Sequence, residues 1–449
     1  MSSLGISRAR VEGGTSLEIR RGILLAGLSL LLCYQLAYWP LSSEFNIRYA
    51  VLGLPLAMLA ALLAPGAAGA MLGAYRLPVL LVSAFFALAA LASANSPDPS
   101  MAAYRWLAYA GHAAVAVAGF IAVSALGATL RQMLMCIGAA CCVLCLAEIA
   151  SIVRHWALFS RLGEGRIYAP TYFNHIRNFA HVPTVLFIAS TGFGLLARGV
   201  AVRWVTYGVS TAALCLVVWA GGRVSMIIVP LAAGLLLGLV PASERLRKGL
   251  IVALMMALAV VLVRASGQDQ MWSQMSQRMQ SDLSVLSAAA ENDSLEAAPR
   301  IGRLGSGRLD LWQSAWRGFG AHPFIGSGGE AFFLLQMAAG VDPLKVSAHP
   351  HNWLLGLVLE FGLSGLLLVS AALIILGRRL QRSYRQAPAE ERGVAGLTAV
   401  LLVILSIYGL LSGTLYYAWP VNVAVLCLGA LTGFDSTVRK SMSHCLCSS

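Results

Sequence analysis

Charged residues are scarce in this sequence. Of its 449 residues, 11% are charged and 58% are hydrophobic, and the mean hydropathy is +0.76. A soluble domain carries about 25% charged residues, so this composition excludes an ordinary soluble protein. The sequence also lacks the ten-residue alternating segments that mark a membrane β-barrel. It has instead apolar runs of about 20 residues, each long enough to cross roughly 30 Å of hydrocarbon.

The apolar runs predict an all-α polytopic membrane protein with about 12 transmembrane helices. The predicted spans are 22–39, 49–72, 77–95, 106–127, 131–152, 179–197, 203–221, 223–240, 247–265, 353–377, 395–414 and 420–435. Lys and Arg in the short loops favour an orientation in which both termini are cytoplasmic.

The lengths of the connections predict three parts. Residues 1–265 hold spans 1–9, with a medium outer loop at 153–178. Residues 266–352 form one large outer loop between spans 9 and 10, and 353–449 hold spans 10–12 and a cytoplasmic tail. Within the large loop, the segment GRLDLWQSAWRGF predicts a helix, and the Gly-rich turn IGSGGEAF, Ile325–Phe332, leads into another short helix.

Several functional signatures are missing. The nine cysteines lie outside the predicted outer loops, so no disulfide framework is expected. No HExxH, HxxxH or Cys ligand set is present, and we predict neither a metal centre nor a cofactor. The net charge of +13 is explained mostly by inner-face Lys and Arg, and no nucleic-acid motif accompanies it.

Two histidines stand at the mouth of the tenth span, in the stretch SAHPHNWLLGLVLEFGLSG. His349 and His351 flank Pro350, which stiffens the backbone between them, and Asn352 follows. A single interfacial histidine is usually structural, but a stiffly held pair favours acid–base chemistry, because imidazole accepts a proton from a hydroxyl near neutral pH. Glu360, inside the span, is expected to contact another polar group of the bundle, since a bare carboxylate in lipid is costly.

Arginines are concentrated on the predicted outer face. Arg223 opens a span, and Arg303 and Arg308 precede the WQSAW helix. An arginine at a membrane boundary can simply snorkel to water. Several together, with few carboxylates near them, indicate a phosphate-bearing substrate, because the planar guanidinium pairs with phosphate through two parallel hydrogen bonds.

A weaker cluster lies in TYFNHIRNFAHV. Its polar members are Asn174, His175, Arg177 and Asn178, and aromatic residues precede them. Amides beside aromatics suit a sugar, and they equally suit a membrane-interface belt. These residues and Asn352 are therefore secondary candidates for substrate binding.

Taken in order along the chain, these motifs resemble the O-antigen ligase and polymerase superfamily. The four segments that carry the resemblance are FNHIRNFA (173–180), GGRVSMIIVPLA (221–232), SGRLDLWQSAW (306–316) followed by GSGGEAF, and HNWLLGLVLEFGLSG (351–365). Members of this family join glycans carried on undecaprenyl pyrophosphate to an acceptor at the periplasmic face.

The resemblance implies an O-antigen ligase of lipopolysaccharide biosynthesis in the bacterial inner membrane, with a lipid A–core acceptor. His351, or its neighbour His349, would be the catalytic base, and Arg223, Arg308 and Arg303 would bind the pyrophosphate. Transfer would be inverting and independent of metal. The alternatives are an O-antigen polymerase, a protein O-oligosaccharyltransferase and, more distantly, a transporter or flippase. A transporter should show repeats with broken helices in matching halves, and the sequence shows none by eye.

Overall fold

The computed structural model describes residues 3–34, 50–154, 179–266, 277, 280, 308–341, 349–412 and 417–447, with the backbone alone described for 3–14, 223 and 444–447. Regular structure in these ranges is entirely helical. The helices are α1 Ser3–Cys33, α2 Gly53–Leu63, α3 Ala67–Ala74, α4 Arg76–Ser93, α5 Pro99–Ser124, α6 Leu130–Arg154, α7 His181–Leu196, α8 Val200–Ala220, α9 Arg223–Gly238, α10 Ala242–Ala265, α11 Arg308–Phe319, α12 Ala331–Ala338, α13 Trp353–Gln386, α14 Ala389–Ser412 and α15 Ala418–Cys447.

Eight of the described helices are long and apolar enough to cross a membrane. They are α4, α5, α6, α8, α10, α13, α14 and α15. Two further predicted spans correspond to the shorter apolar helices α7 and α9, and the first predicted span runs past residue 34, beyond the described part. The structure therefore confirms an all-α, multi-pass architecture, whereas the total of twelve spans stays a prediction.

The second predicted span, 49–72, is not straight. It consists of α2 and α3, whose axes differ by 101° across a break at residues 64–66. Pro65 has no amide hydrogen to continue the helical ladder, and Gly66 adopts a φ of +85°, a conformation that favours glycine. The chain therefore turns sharply where the hydropathy alone suggested one continuous helix.

Small residues allow the central helices to approach closely. A Cβ on Gly429 of α15 would lie 2.0 Å from the backbone oxygen of Ala116 on α5, and a Cβ on Gly433 would lie 2.8 Å from that of Phe120. Between helices surrounded by lipid there is little hydrophobic driving force, so close packing of small residues supplies much of the association. The α5–α15 pair holds the middle of the bundle in this way.

A buried polar cluster ties three helices together at one end of the bundle. Asp435 of α15 is fully buried and accepts hydrogen bonds from the Tyr75 hydroxyl at 2.5 Å, from Arg439 Nε at 2.8 Å and from the Ser383 hydroxyl of α13. These partners compensate a carboxylate that would otherwise be costly to bury. The cluster connects the α3–α4 junction to α13 and α15.

Helix α13 is broken at Gly362, which has φ +63° and ψ −169°. In a regular helix the amides of Leu363 and Ser364 would bond to the carbonyls of residues 359 and 360. Here they bond to Pro323 and Phe324 at 2.9 and 3.2 Å.

The carbonyls left over at the break find partners in the same segment. The carbonyls of residues 359 and 360 accept from Ser327 and Gly328, both at 2.9 Å. Residues 323–328, from the Gly-rich turn, thus replace the missing ladder bonds one for one. These four backbone groups at the break are therefore all hydrogen-bonded, as the interior of a membrane requires.

Candidate functional site

The two histidines lie in a short segment just before α13. Asn352 ends this segment and caps the helix, because its side-chain oxygen accepts from the amides of Leu354 and Leu355 at 3.0 and 3.1 Å. The indole of Trp312 on α11 donates to the carbonyl of Pro350 at 3.0 Å. His351 itself has a φ of +54°, which is uncommon for a residue other than glycine. The segment is therefore held from both sides in an unusual backbone conformation.

His351 has a defined hydrogen bond on one ring nitrogen. Its Nδ1 lies 3.2 Å from the carbonyl oxygen of Ser412, at the end of α14. A carbonyl only accepts hydrogen bonds, so Nδ1 carries the hydrogen and, in the neutral ring, Nε2 has the free electron pair. Burial lowers the pKa of His351 below its ordinary value, and the nearby Arg308 guanidinium lowers it further, while the bond to Ser412 opposes this. His351 is thus arranged as a neutral imidazole with Nε2 available as a base.

His349 is more deeply placed. It is 6% exposed, and its ring centroid lies 4.5 Å from that of His351. Burial lowers the pKa of His349 well below its ordinary value, and the charges of His351 and Arg105 act in the same direction. His349 is therefore a neutral, buried ring that packs against the ring of His351.

A row of rings continues from His349 into the bundle. His349 stacks edge-on against Tyr417 at a centroid distance of 5.4 Å, and Tyr417 lies 6.1 Å from His181. His181 in turn lies 4.6 Å from Tyr408, whose hydroxyl is hydrogen-bonded to Ser225. This aromatic row joins the histidine segment to the first turn of α9.

Ser225 is two residues from Arg223, the predicted phosphate-binding residue that begins α9. The structure describes the backbone of Arg223 but not its side chain. The left-handed Gly221, with φ +61°, ends α8, and α9 begins directly afterwards. The start of α9 therefore lies at the same end of the bundle as His351.

Arg308 contacts the same helix end as His351. It begins α11 and donates from Nη1 to the carbonyl of Leu411. Leu411 directly precedes Ser412, the partner of His351. The carbonyls at the end of α14 thus contact both a candidate base and a candidate phosphate-binding cation.

A buried charged network lies beside the break in α13. Arg105 of α5 pairs with Glu330, with 3.3 Å between Nε and Oε1, and both side chains are largely buried. Glu360 accepts from the hydroxyl of Tyr109 and, at 3.2 Å, from the amide of Glu330. The expectation that Glu360 contacts another polar group of the bundle is confirmed. The network links α5, the Gly-rich turn and the break in α13.

The structure brings together only some of the residues singled out in the sequence. His349, His351, Asn352, Arg308 and the start of α9 share one end of the bundle. Arg303, Asn174, His175, Arg177 and Asn178 lie outside the described residues. Among the residues that are described, no group of three His, Cys, Asp or Glu side chains is arranged to hold a metal ion.

Sequence reasoning did not assign four residues of this site. Tyr408, Tyr417, Arg105 and His181 are not among the predicted site residues. They come from four different helices or their ends, so no local pattern marks them. The one available signal is that each stands near a predicted outer end of a span.

The fold and this site define a multi-pass membrane protein with a histidine- and arginine-containing polar site at one end of its helical bundle. Residues 208–370 match the family model described as O-antigen ligase. This match confirms the resemblance seen in the sequence motifs, and the matched range contains Arg223, Arg308 and both histidines. No curated protein matches the chain.

The match supports a function of the O-antigen ligase or polymerase type, with a glycosyltransferase-like ligase activity in a general sense. The family implies a lipid-linked glycan donor and a lipid-anchored acceptor. Residues 174–178 and the ring of Tyr417 lie outside the matched range.

Proposed function

We propose that this chain is an O-antigen ligase that transfers a glycan from undecaprenyl pyrophosphate to a lipid A–core oligosaccharide. The reaction takes place at the periplasmic face of the bacterial inner membrane, with both termini in the cytoplasm. The observation that carries the proposal is the shared use of the α14 terminus, where His351 and Arg308 are bound to adjacent carbonyls. A base and a phosphate-binding cation are the two groups that this transfer requires.

In the proposed reaction, Nε2 of His351 takes the proton of the acceptor hydroxyl. The acceptor oxygen attacks the anomeric carbon of the donor sugar, and the bond from that carbon to the pyrophosphate oxygen breaks. Undecaprenyl pyrophosphate leaves with the electron pair, and the anomeric configuration inverts in this single displacement. His349 acts behind His351 by holding its ring, and the neutral state of both rings suits a base at neutral pH.

Arg308, Arg223 and Arg303 stabilise the charge that develops on the pyrophosphate. Loss of one such donor typically lowers a rate by about 10²–10³-fold. Arginines take the place that a divalent cation has in other transferases, so the reaction is independent of metal. Asn352 and the cluster of Asn174, His175, Arg177 and Asn178 contribute weaker contacts to the glycans.

The experiment is complementation of a strain that lacks its O-antigen ligase. The readout is the lipopolysaccharide ladder on a gel, with the amount of protein in the membrane measured for each variant. We expect a ladder from the parent and its loss in His351→Ala, Arg308→Ala and Arg223→Ala. Removal of a general base typically lowers a rate by about 10²–10⁴-fold.

Two matched controls are His322→Ala and Arg317→Ala. Both residues are exposed, and Arg317 shares α11 with Arg308. The controls should keep the ladder. A ladder that survives all three site changes would refute the assigned roles. A well-expressed parent that gives no ladder with a matched donor and acceptor would point instead to a polymerase or to a protein O-oligosaccharyltransferase.

A further inference from the structure

A cavity lies at the opposite end of the bundle from the histidines. Arg105, beside the site, lies in the second turn of helix α5, and Ser124 at the other end of this helix lines the cavity. The cavity has a volume of about 320 Å³. Its lining residues include Arg20, Ala67, Ala70, Phe120, Leu126 and Lys440. A volume of this size is enough for a small polar group such as a phosphate with its glycerol.

The described part of the lining carries positive charge. Among these residues, Arg20 and Lys440 are charged and none is a carboxylate. Arg20 donates from Nη1 to the carbonyl of Leu63 at 3.3 Å, and Lys440 donates to the carbonyl of Ser124 at 3.5 Å. A guanidinium has five donor hydrogens and an ammonium has three. Both cations therefore keep donors for an anionic ligand after bonding to these helix ends.

The wall and rim of the cavity are apolar. Phe120 and Leu126 are buried beneath it, while Leu17 is 42% exposed at its edge and the adjacent Leu62 is 75% exposed. The 101° bend between α2 and α3 turns α3 aside, so that Ala67 and Ala70 contribute to the wall. A ligand in this cavity therefore meets cations and exposed leucines at the same time, which suits an amphiphile better than a soluble ion.

We propose that this cavity binds the phosphate of an anionic phospholipid, with the acyl chains lying along Leu17 and Leu62. Basic pockets between transmembrane helices are sites for anionic lipid headgroups. The cavity does not share residues with the candidate active site, and the proposal does not depend on the proposed function.

The test uses the full chain, purified in a neutral detergent, and measures binding of phosphatidylglycerol by native mass spectrometry. Phosphatidylcholine and inorganic phosphate are the comparison ligands. The double variant Arg20→Gln with Lys440→Gln removes both cations. Its matched control is Arg76→Gln with Arg378→Gln, which removes two exposed arginines that do not line the cavity.

We expect the parent to bind phosphatidylglycerol more tightly than phosphatidylcholine. The cavity double variant should bind it about 30-fold more weakly, which is about 2 kcal/mol at 1.4 kcal/mol per tenfold change. The control pair should stay within about twofold of the parent. A second variant, Ala70→Trp, fills the cavity without removing charge and should also weaken binding.

Three results would overturn the proposal. If both double variants lose the same affinity for phosphatidylglycerol, the lipid binds through general surface electrostatics and not in this cavity. Unchanged binding in Ala70→Trp and in the cavity double variant would mean that the lipid binds elsewhere. Full displacement of phosphatidylglycerol by an equal concentration of inorganic phosphate would assign the cavity to a soluble anion. The unfolding midpoint of each variant in detergent without lipid shows whether it is folded, and only folded variants enter the comparison.

Discussion

The break in α13 gives the sharpest prediction, through the substitution Gly362→Ala. Gly362 has φ +63° and ψ −169°, a region of backbone conformation that only glycine adopts readily. A Cβ at this position would lie 2.3 Å from the carbonyl oxygen of Phe324 and 2.7 Å from the amide nitrogen of Ile325. Both neighbours are backbone atoms in the segment that satisfies the broken helix, so they cannot move aside without loss of those hydrogen bonds.

The magnitude follows from two costs. An unfavourable backbone conformation costs about 1–3 kcal/mol, and an overpacked contact costs about 1–3 kcal/mol more. The free energy of unfolding should therefore fall by about 2–6 kcal/mol. Gly377→Ala is the matched control, because it makes the same substitution in the same helix at a position with no atom within 4 Å of the added Cβ. Alanine is favoured over glycine inside a helix by about 0.5–1 kcal/mol, so this control should be unchanged or more stable.

The assay is thermal unfolding of the parent and both variants, purified in one detergent and followed by tryptophan fluorescence. We expect a lower unfolding midpoint for Gly362→Ala and an equal or higher one for Gly377→Ala. The complementation ladder should be weakened only by Gly362→Ala. If the midpoint of Gly362→Ala equals or exceeds that of Gly377→Ala, the argument from the backbone conformation is wrong.

Three further predictions concern the site and the far end of the bundle. Transfer should fall as the pH drops below the pKa of His351, which burial holds below its ordinary value of 6.5. Removing the cation in Arg308→Gln raises that pKa, so the acidic limb of the pH–rate profile should move to higher pH, and a limb that stays in place would contradict the role of the charge. Tyr417→Phe keeps the ring that packs on His349 and should retain transfer, whereas Tyr417→Ala should lower kcat at least about tenfold. Equal kcat values in these two variants would exclude a positioning role for the Tyr417 ring. Asp435→Asn removes a buried charge from its partners and should lower the free energy of unfolding by about 3–5 kcal/mol. Transfer per folded molecule should not change, and a slower rate with an unchanged unfolding midpoint would refute this assignment.

The all-helical architecture could be predicted because apolar runs report directly on burial in lipid. The length and hydropathy of the runs are local properties, and eight of the predicted spans correspond to helices that meet the requirements of a membrane span. The helix over WQSAW and the short helix after the Gly-rich turn were also predictable, and they are α11 and α12. The bend at residues 64–66 was not found, since hydropathy averaged over a window does not register one proline followed by a left-handed glycine.

The candidate site was predictable only where its residues are close in sequence. His349 and His351 stand out because two imidazoles two positions apart are unusual beside an apolar run. The aromatic row is different, because His181, Tyr408 and Tyr417 are spread over more than 200 positions and meet only in the folded bundle. The break at Gly362 was hidden for a related reason. Its replacement hydrogen bonds come from residues 323–328, and nothing in the apolar run itself shows that they exist.

The position of His351 relative to Arg308 depends on backbone rather than on side-chain partners. Each donates to a carbonyl at the end of α14, and these carbonyls belong to the consecutive residues Leu411 and Ser412. A displacement of the α14 terminus therefore carries the candidate base and the candidate phosphate-binding cation together. In the proposed transfer, one helix end therefore contacts both the candidate base and the cation that would bind the pyrophosphate.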